Sequence, residues 1–235
     1  MIAVTTFSKT GYEKYAGKMI ESVKQFWPGK LIAYSEFPLE IEGVEVRDFF
    51  SIPGTQAYYQ YLREIPAAHG KVENGYDYNF DAWKFTRKVF AQYDVLTQTT
   101  EKVYWLDADV VIKKPISEVF LEDIFEGKAL AYLGRAGFYT ETGVIGFNPK
   151  AKDFEAFLAY YIGCLRKGIL FTLKRWHDCE AFDWAVKHSG VDGKNLSPGF
   201  KIPEDGKMKR KQLNVIKTSV LGEYISHFKG PKKER

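Results

Sequence analysis

Asp107 and Asp109 are separated by a single residue and flanked by two apolar runs, Val103-Tyr104-Trp105-Leu106 before them and Val110-Val111-Ile112 after them. Carboxylates this close repel each other and call for a shared cation. Oxygen donors of this kind suit a hard divalent ion, Mg2+ or Mn2+, above all where a diphosphate completes its shell. A bare Asp-x-Asp arises by chance about once in a chain of this length, so the apolar runs around it carry the signal. A turn in which Asp109 caps the backbone is the structural alternative for the same residues.

Other groups could join that chemistry. His227, near the end of the chain, reads on its own as an exposed histidine of the tail, though a neutral imidazole nitrogen is a ligand that Mn2+ accepts. In Trp176-His177-Asp178-Cys179-Glu180, both Asp178 and Glu180 are candidates for a general base. Acids favouring a helix N-terminus explain them equally. Asp81, Lys84, Arg87 and Lys88 share one stretch of helical periodicity. Asp81 and Lys84, three apart, face one way and could reach a nucleotide, whereas Arg87 and Lys88 are expected to be solvated. Tyr58, Tyr59 and Tyr61 read either as a platform for an acceptor sugar or as core.

Several chemistries are excluded by what the chain lacks. From Gly11 to Lys18 the sequence approaches a phosphate loop, but five residues separate its glycines and Met19 follows the lysine. That loop needs four residues and a Ser or Thr for the metal. There is no G-x-G-x-x-G for a dinucleotide, no G-x-S-x-G, and no metal-type Cys/His spacing.

The elements that must position these groups alternate in type. Strands are expected over 2–7, 31–34, 44–49, 102–107, 110–112, 129–133 and 144–147. Helices are expected over 12–26, 56–64, 79–92, 117–125, 152–167 and 178–188, with β-like stretches at 213–216 and 224–228. Strands alternating with helices predict an α/β fold with a mostly parallel central sheet. The chain has 235 residues, is 45% hydrophobic and 27% charged, and is long enough for one full core. Its two cysteines, Cys164 and Cys179, read as a reduced pair, and no apolar run reaches the ~20 residues of a membrane span, so a cytoplasmic protein is expected. The net charge of +4 is uneven: residues 201–235 hold ten Lys and Arg against four Asp and Glu. Such a segment suits an anionic partner, whether phosphate, membrane surface or nucleic acid.

With those residues in view, the stretch from Glu101 to Phe120 resembles the Asp-x-Asp region of GT-A-fold glycosyltransferases, most closely the retaining glycogenin and lipopolysaccharide galactosyltransferase family. Three further segments fall in the family's order. Trp83-Lys84-Phe85 sits where the family carries a helix lysine that reaches the donor sugar. Thr142-Gly143-Val144-Ile145-Gly146-Phe147-Asn148 is similar to its N/S-S-G-V-x-x-F/Y-N strand, and His227 to Lys233 fits its H-x-x-G-x-x-K.

The resemblance implies a GT-A, Rossmann-like fold in a single domain over 1–235, with about 190–235 as a basic lid. It implies a hexosyltransferase-like enzyme using a nucleotide-diphosphate sugar, UDP-linked, and Mn2+ or Mg2+ held by Asp107, Asp109 and His227. Asp81, Lys84, Asp107, Thr142, Gly143, Asp178, Gly230 and Lys233 would bind the donor, and Lys84, Asp178 and Glu180 would serve catalysis. The acceptor would be a glycan, lipid or protein, with no stable nucleic-acid partner. One departure stands out: the family's Asp-Gln is Asp178-Cys179 here. The glutamine amide lies beside the reacting carbon, so the departure bears on donor identity and on whether configuration is retained. A sugar nucleotidyltransferase is the alternative enzyme, and a nucleic-acid binder using the basic segment is the alternative of another class.

Overall fold

A computed structural model describes residues 1–202 and 214–228 of the chain. β1 (Ile2–Phe7) leads into α1 (Lys9–Gly11), which Ser8 caps by accepting a hydrogen bond from the Gly11 amide at 3.2 Å. A π turn, Tyr12–Ala16, continues it into α2 (Gly17–Phe26), so this helix begins earlier than its apolar spacing indicates. There follow β2 (Lys30–Ser35), β3 (Glu45–Asp48) and α3 (Thr55–Arg63). The small hairpin β4 (Lys71–Val72) and β5 (Gly75–Tyr76) escapes sequence periodicity because two-residue strands are too short to alternate.

α4 (Ala82–Leu96) starts after the expected Asn79, since Tyr78–Phe80 forms a 3-10 turn and Asp81 is the N-cap. The Asp81 carboxylate accepts from the Lys84 amide at 3.1 Å, satisfying a donor that the first helical turn would otherwise leave unpaired. The chain continues through β6 (Val103–Leu106), β7 (Val110–Ile112), α5 (Glu118–Asp123), β8 (Leu130–Leu133) and β9 (Glu141–Phe147). α6 (Phe154–Arg166), α7 (Asp178–Ser189), β10 (Gly193–Asn195) and β11 (Ile225–His227) complete it.

Seven strands form the central sheet in the order β10-β8-β9-β6-β1-β2-β3. Only β9 runs against its neighbours β6 and β8 in that sheet, so the sheet is mostly parallel, as expected. Both faces are covered, and alternate residues sort between them. Ile2, Val4, Val103 and Trp105 join the core beneath α4, α6 and α7, while Ala3, Phe7, Tyr104 and Leu106 join the core around α2 and α5. Full burial of side chains such as Val103 and Leu106 contributes about 1.5–3 kcal/mol each, and this packing fixes where β6 ends.

The β-like expectation at 213–216 is corrected in part. Val215–Thr218 is a 3-10 turn, and residue 213 lies outside the described residues. Val215 and Ile216 are both buried in one cluster, and a strand would have sent such neighbours to opposite faces. At 224–228 the expectation holds: β11 pairs antiparallel with β7, setting His227 opposite Val110.

Candidate active site

The end of β6 is where three distant segments converge. The Asp107 amide donates to the Gly143 carbonyl of β9 at 2.9 Å, and the Val110 amide donates back to the Asp107 carbonyl at 2.8 Å. The Phe228 amide donates to the Asp109 carbonyl at 3.0 Å, extending the β7–β11 pairing to the turn itself. The turn is therefore held by backbone, and both aspartate side chains are directed to other work.

His227 Nε2 lies 3.0 Å from Asp109 Oδ1 and 3.7 Å from Asp107 Oδ2. Asp109 and His227 are buried, while the Asp107 side chain keeps 26% of its surface exposed, so the group opens on one side. Gly143 makes room for the ring: a Cβ there would stand 2.4 Å from His227 Cε1. Two carboxylates and an imidazole nitrogen suit Mn2+ or Mg2+, and their side-chain donors converge within 4.8 Å of one another.

A second cluster shares Asp107. Lys88 Nζ lies 2.8 Å from Asp107 Oδ1 and 2.7 Å from Asp178 Oδ2, and donates to the Thr142 carbonyl at 3.0 Å. The Thr142 hydroxyl donates to the same Asp178 oxygen, and Trp105 Nε1 donates to Asp107 Oδ1 at 2.8 Å. Burial alone would lower the Lys88 pKa, but Asp107 and Asp178 outweigh it and hold the ammonium well above the usual lysine range. Burial likewise works to raise Asp178, yet Lys88 and the hydrogen bonds leave it below the usual carboxylate range.

Lys88 is thus buried in this cluster, and the expectation that it is solvated is corrected. Lys84 is exposed and rests its ammonium 5.3 Å from the Phe85 ring. One helical turn, about 6 Å along α4, separates the two lysines. The available signal was that Lys88 is followed by the apolar Val89-Phe90-Ala91, all buried. Arg87 is not free in solvent either: it pairs with Glu36 at 2.8 Å.

Asp81 also stands apart from the cluster, committed to the α4 cap and to the Tyr76 hydroxyl at 2.7 Å. Glu180 is paired with Arg175 at 2.6 Å and lines a 360 Å3 surface cavity with Tyr139 and Asp183. Tyr59 is core, hydrogen-bonded to Thr86 at 2.9 Å, and Tyr61 is exposed beside Phe171, so the tyrosine trio forms no single platform. Gly230 and Lys233 lie outside the described residues.

His177, Asp178 and Cys179 also bring potential ligand atoms together. Their chemistry does not fit a metal: Lys88 already neutralises Asp178, and burial then Asp178 push the Cys179 thiol well above its ordinary pKa. His177 Nδ1 accepts from the Glu180 amide as the cap of α7.

No family model and no curated protein matches the chain. Among solved structures, the bifunctional glycosyltransferase WbbM aligns at a TM-score of 0.50 and 15% identity, over 99% of this chain and 46% of that one. The galactosyltransferase LgtC, in complex with donor and acceptor sugar analogs, aligns at 0.47 and 15% identity, over 98% and 88%. The glycosyltransferase GlyE of Streptococcus pneumoniae TIGR4 aligns at 0.47 and 16% identity, over 80% and 43%. The chain spans less than half the length of WbbM and GlyE. The likeness to WbbM shows a shared fold, the GT-A type: a mostly parallel sheet flanked by helices. No helix among the described residues is long and apolar enough to cross a membrane.

Proposed function

We propose that the protein is a divalent-cation-dependent glycosyltransferase that takes a sugar from a nucleotide-diphosphate donor, UDP-linked, and passes it to an acceptor hydroxyl. The observation that carries this reading is the convergence of Asp107, Asp109 and His227 at the end of β6. In an α/β sheet the crevice beyond the carboxyl ends of parallel strands is where ligands bind.

Asp107, Asp109 and His227 would hold Mn2+ or Mg2+, which acts there as a Lewis acid on the departing diphosphate. Lys88, Thr142 and Asp178 form the adjoining wall and are assigned to the donor sugar, with Lys88 in the role first given to Lys84. Asp178 is engaged by Lys88, and Glu180 by Arg175. With neither carboxylate poised to take a proton from the acceptor, transfer with retention is the favoured course. Residues 1–235 would act as one domain with the segment from about 190 as its lid, and Gly230 and Lys233, which lie outside the described residues, would be assigned to the diphosphate. The free thiols of Cys164 and Cys179 accord with a cytoplasmic enzyme.

Thermal melting against a panel of nucleoside diphosphates and nucleotide sugars, with and without Mn2+, tests this. UDP with Mn2+ should raise Tm where neither does alone. Equal stabilisation by UDP in the presence of a chelator would overturn the metal assignment.

A further inference from the structure

His227 presents its two nitrogens to different surroundings. Nε2 faces Asp109 and Asp107, whereas Nδ1 is buried, has no hydrogen-bond partner among the described residues, and faces Glu141 Oε1 at 3.8 Å. That carboxylate is itself fixed. Its Oε1 accepts from the Gly143 amide at 3.1 Å, and its Oε2 lies 3.4 Å from Arg135 Nη1.

Arg135 is held in turn by the Tyr139 carbonyl at 2.8 Å and the Thr140 carbonyl at 3.2 Å, with its guanidinium 4.6 Å from the Tyr139 ring centre. Both members of this pair are buried, at 3% and 6% side-chain exposure. A buried ion pair is a costly way to stabilise a fold, so its placement against an imidazole nitrogen has to be explained by what it does there.

We infer that Glu141, braced by Arg135, is a positioning residue for His227. Its carboxylate accepts a hydrogen bond from Nδ1–H, fixes that tautomer and ring orientation, and so turns the Nε2 lone pair toward the cation shared with Asp107 and Asp109. A small closure of the 3.8 Å gap converts the facing pair into a hydrogen bond. A metal-bound histidine is ordinarily oriented in this way by a carboxylate on its other nitrogen, and losing the partner costs about 10–100-fold in metal affinity. Gly143 completes the device: without a Cβ it lets the ring lie against β9 and offers its amide to the same carboxylate.

The inference rests on the metal site proposed above, and the experiment separates the two. Mn2+ binding to the protein with saturating UDP is followed by electron paramagnetic resonance, with metal-free melting as the check on folding. Glu141→Met should weaken Mn2+ binding ten- to a hundredfold, while Glu141→Gln, which keeps an acceptor oxygen for Nδ1–H, should lose less than tenfold. If the lone Arg135 left by Glu141→Met prevents folding, the double variant Arg135→Met/Glu141→Met removes both buried charges and carries the same expectation. A folded Glu141→Met or double variant that binds Mn2+ within threefold of the parent overturns the role of Glu141 alone. A parent protein that binds no Mn2+ with UDP overturns the metal site and this inference with it.

Discussion

Two acidic clusters meet at Asp107, and they differ in how their charge is met. On one side Asp107 and Asp178 converge on Lys88, a cation supplied by the chain itself and buried between them. On the other, Asp107 and Asp109 face the imidazole of His227, whose Nε2 lies 3.7 Å from the first and 3.0 Å from the second. The first arrangement is complete in the folded chain and has the character of a structural clamp. The second gathers two carboxylates on one imidazole, and the partial exposure of Asp107 leaves an approach open. Carboxylates that converge with an imidazole nitrogen and keep one side exposed are the ones to read as a cation site.

The largest effect that could break this contrast is expected at Asp109. Asp109→Asn should lower donor hydrolysis or transfer by about 10²–10³-fold, the usual loss when one electrostatic stabiliser of a leaving group is removed. It should also abolish most of the Mn2+-dependent thermal shift with UDP, while the metal-free Tm stays the same or rises, since one source of repulsion is gone. A metal-free Tm several degrees lower would show that Asp109 belongs to the clamp instead.

The next effect falls on stability. Lys88→Met leaves Asp178 buried beside apolar walls, and breaking a buried pair from one side costs about 3–5 kcal/mol. Lys84→Met, on the exposed face of the same helix, should stay within about 0.5 kcal/mol. Denaturant melts of the two variants side by side would decide it, and equal melts would erase the distinction between the lysines.

The smallest effect concerns pH. Asp178 lies below its ordinary range in the folded chain, so its contribution to stability is present above its unfolded pKa, about 3.9, and is lost as pH falls through the folded value. Lys88 is raised, so its contribution is present below its unfolded pKa, about 10.4, and is lost only as pH rises through the folded value. The pair is therefore intact across the neutral range, and the double variant Lys88→Met/Asp178→Asn should show a flatter acid limb of Tm against pH than the parent. An acid limb of unchanged slope would place the responsible carboxylates elsewhere.

Much of this was legible before folding. The apolar start of β1 and the uninterrupted apolar run of β6 follow from burial on two faces of a sheet, and both strands appear in the sequence at nearly their observed bounds. Asp107 and Asp109 were legible because they interrupt apolar runs, and His227 because residues 227–233 resemble H-x-x-G-x-x-K, although Gly230 and Lys233 fall outside the described residues. Lys84 was preferred to Lys88 because local spacing gives the face of a helix but not how far along its axis the sheet lies. Glu141 gave no signal, since an isolated glutamate at a strand start reads as solvated.

The sequence by itself determined the periodicities, the alternation of strand and helix, and the pairing of two aspartates beyond an apolar strand. These are properties of neighbours within a few residues, where chain geometry leaves little choice. Only the tertiary structure decided that His227 meets Asp109 across 118 residues, that Lys88 rather than Lys84 enters the cleft, and that Glu141 faces the imidazole. Those contacts depend on strand order and on the antiparallel placing of β9 and β11, and such long-range pairings follow from the packing of the whole sheet rather than from any local spacing.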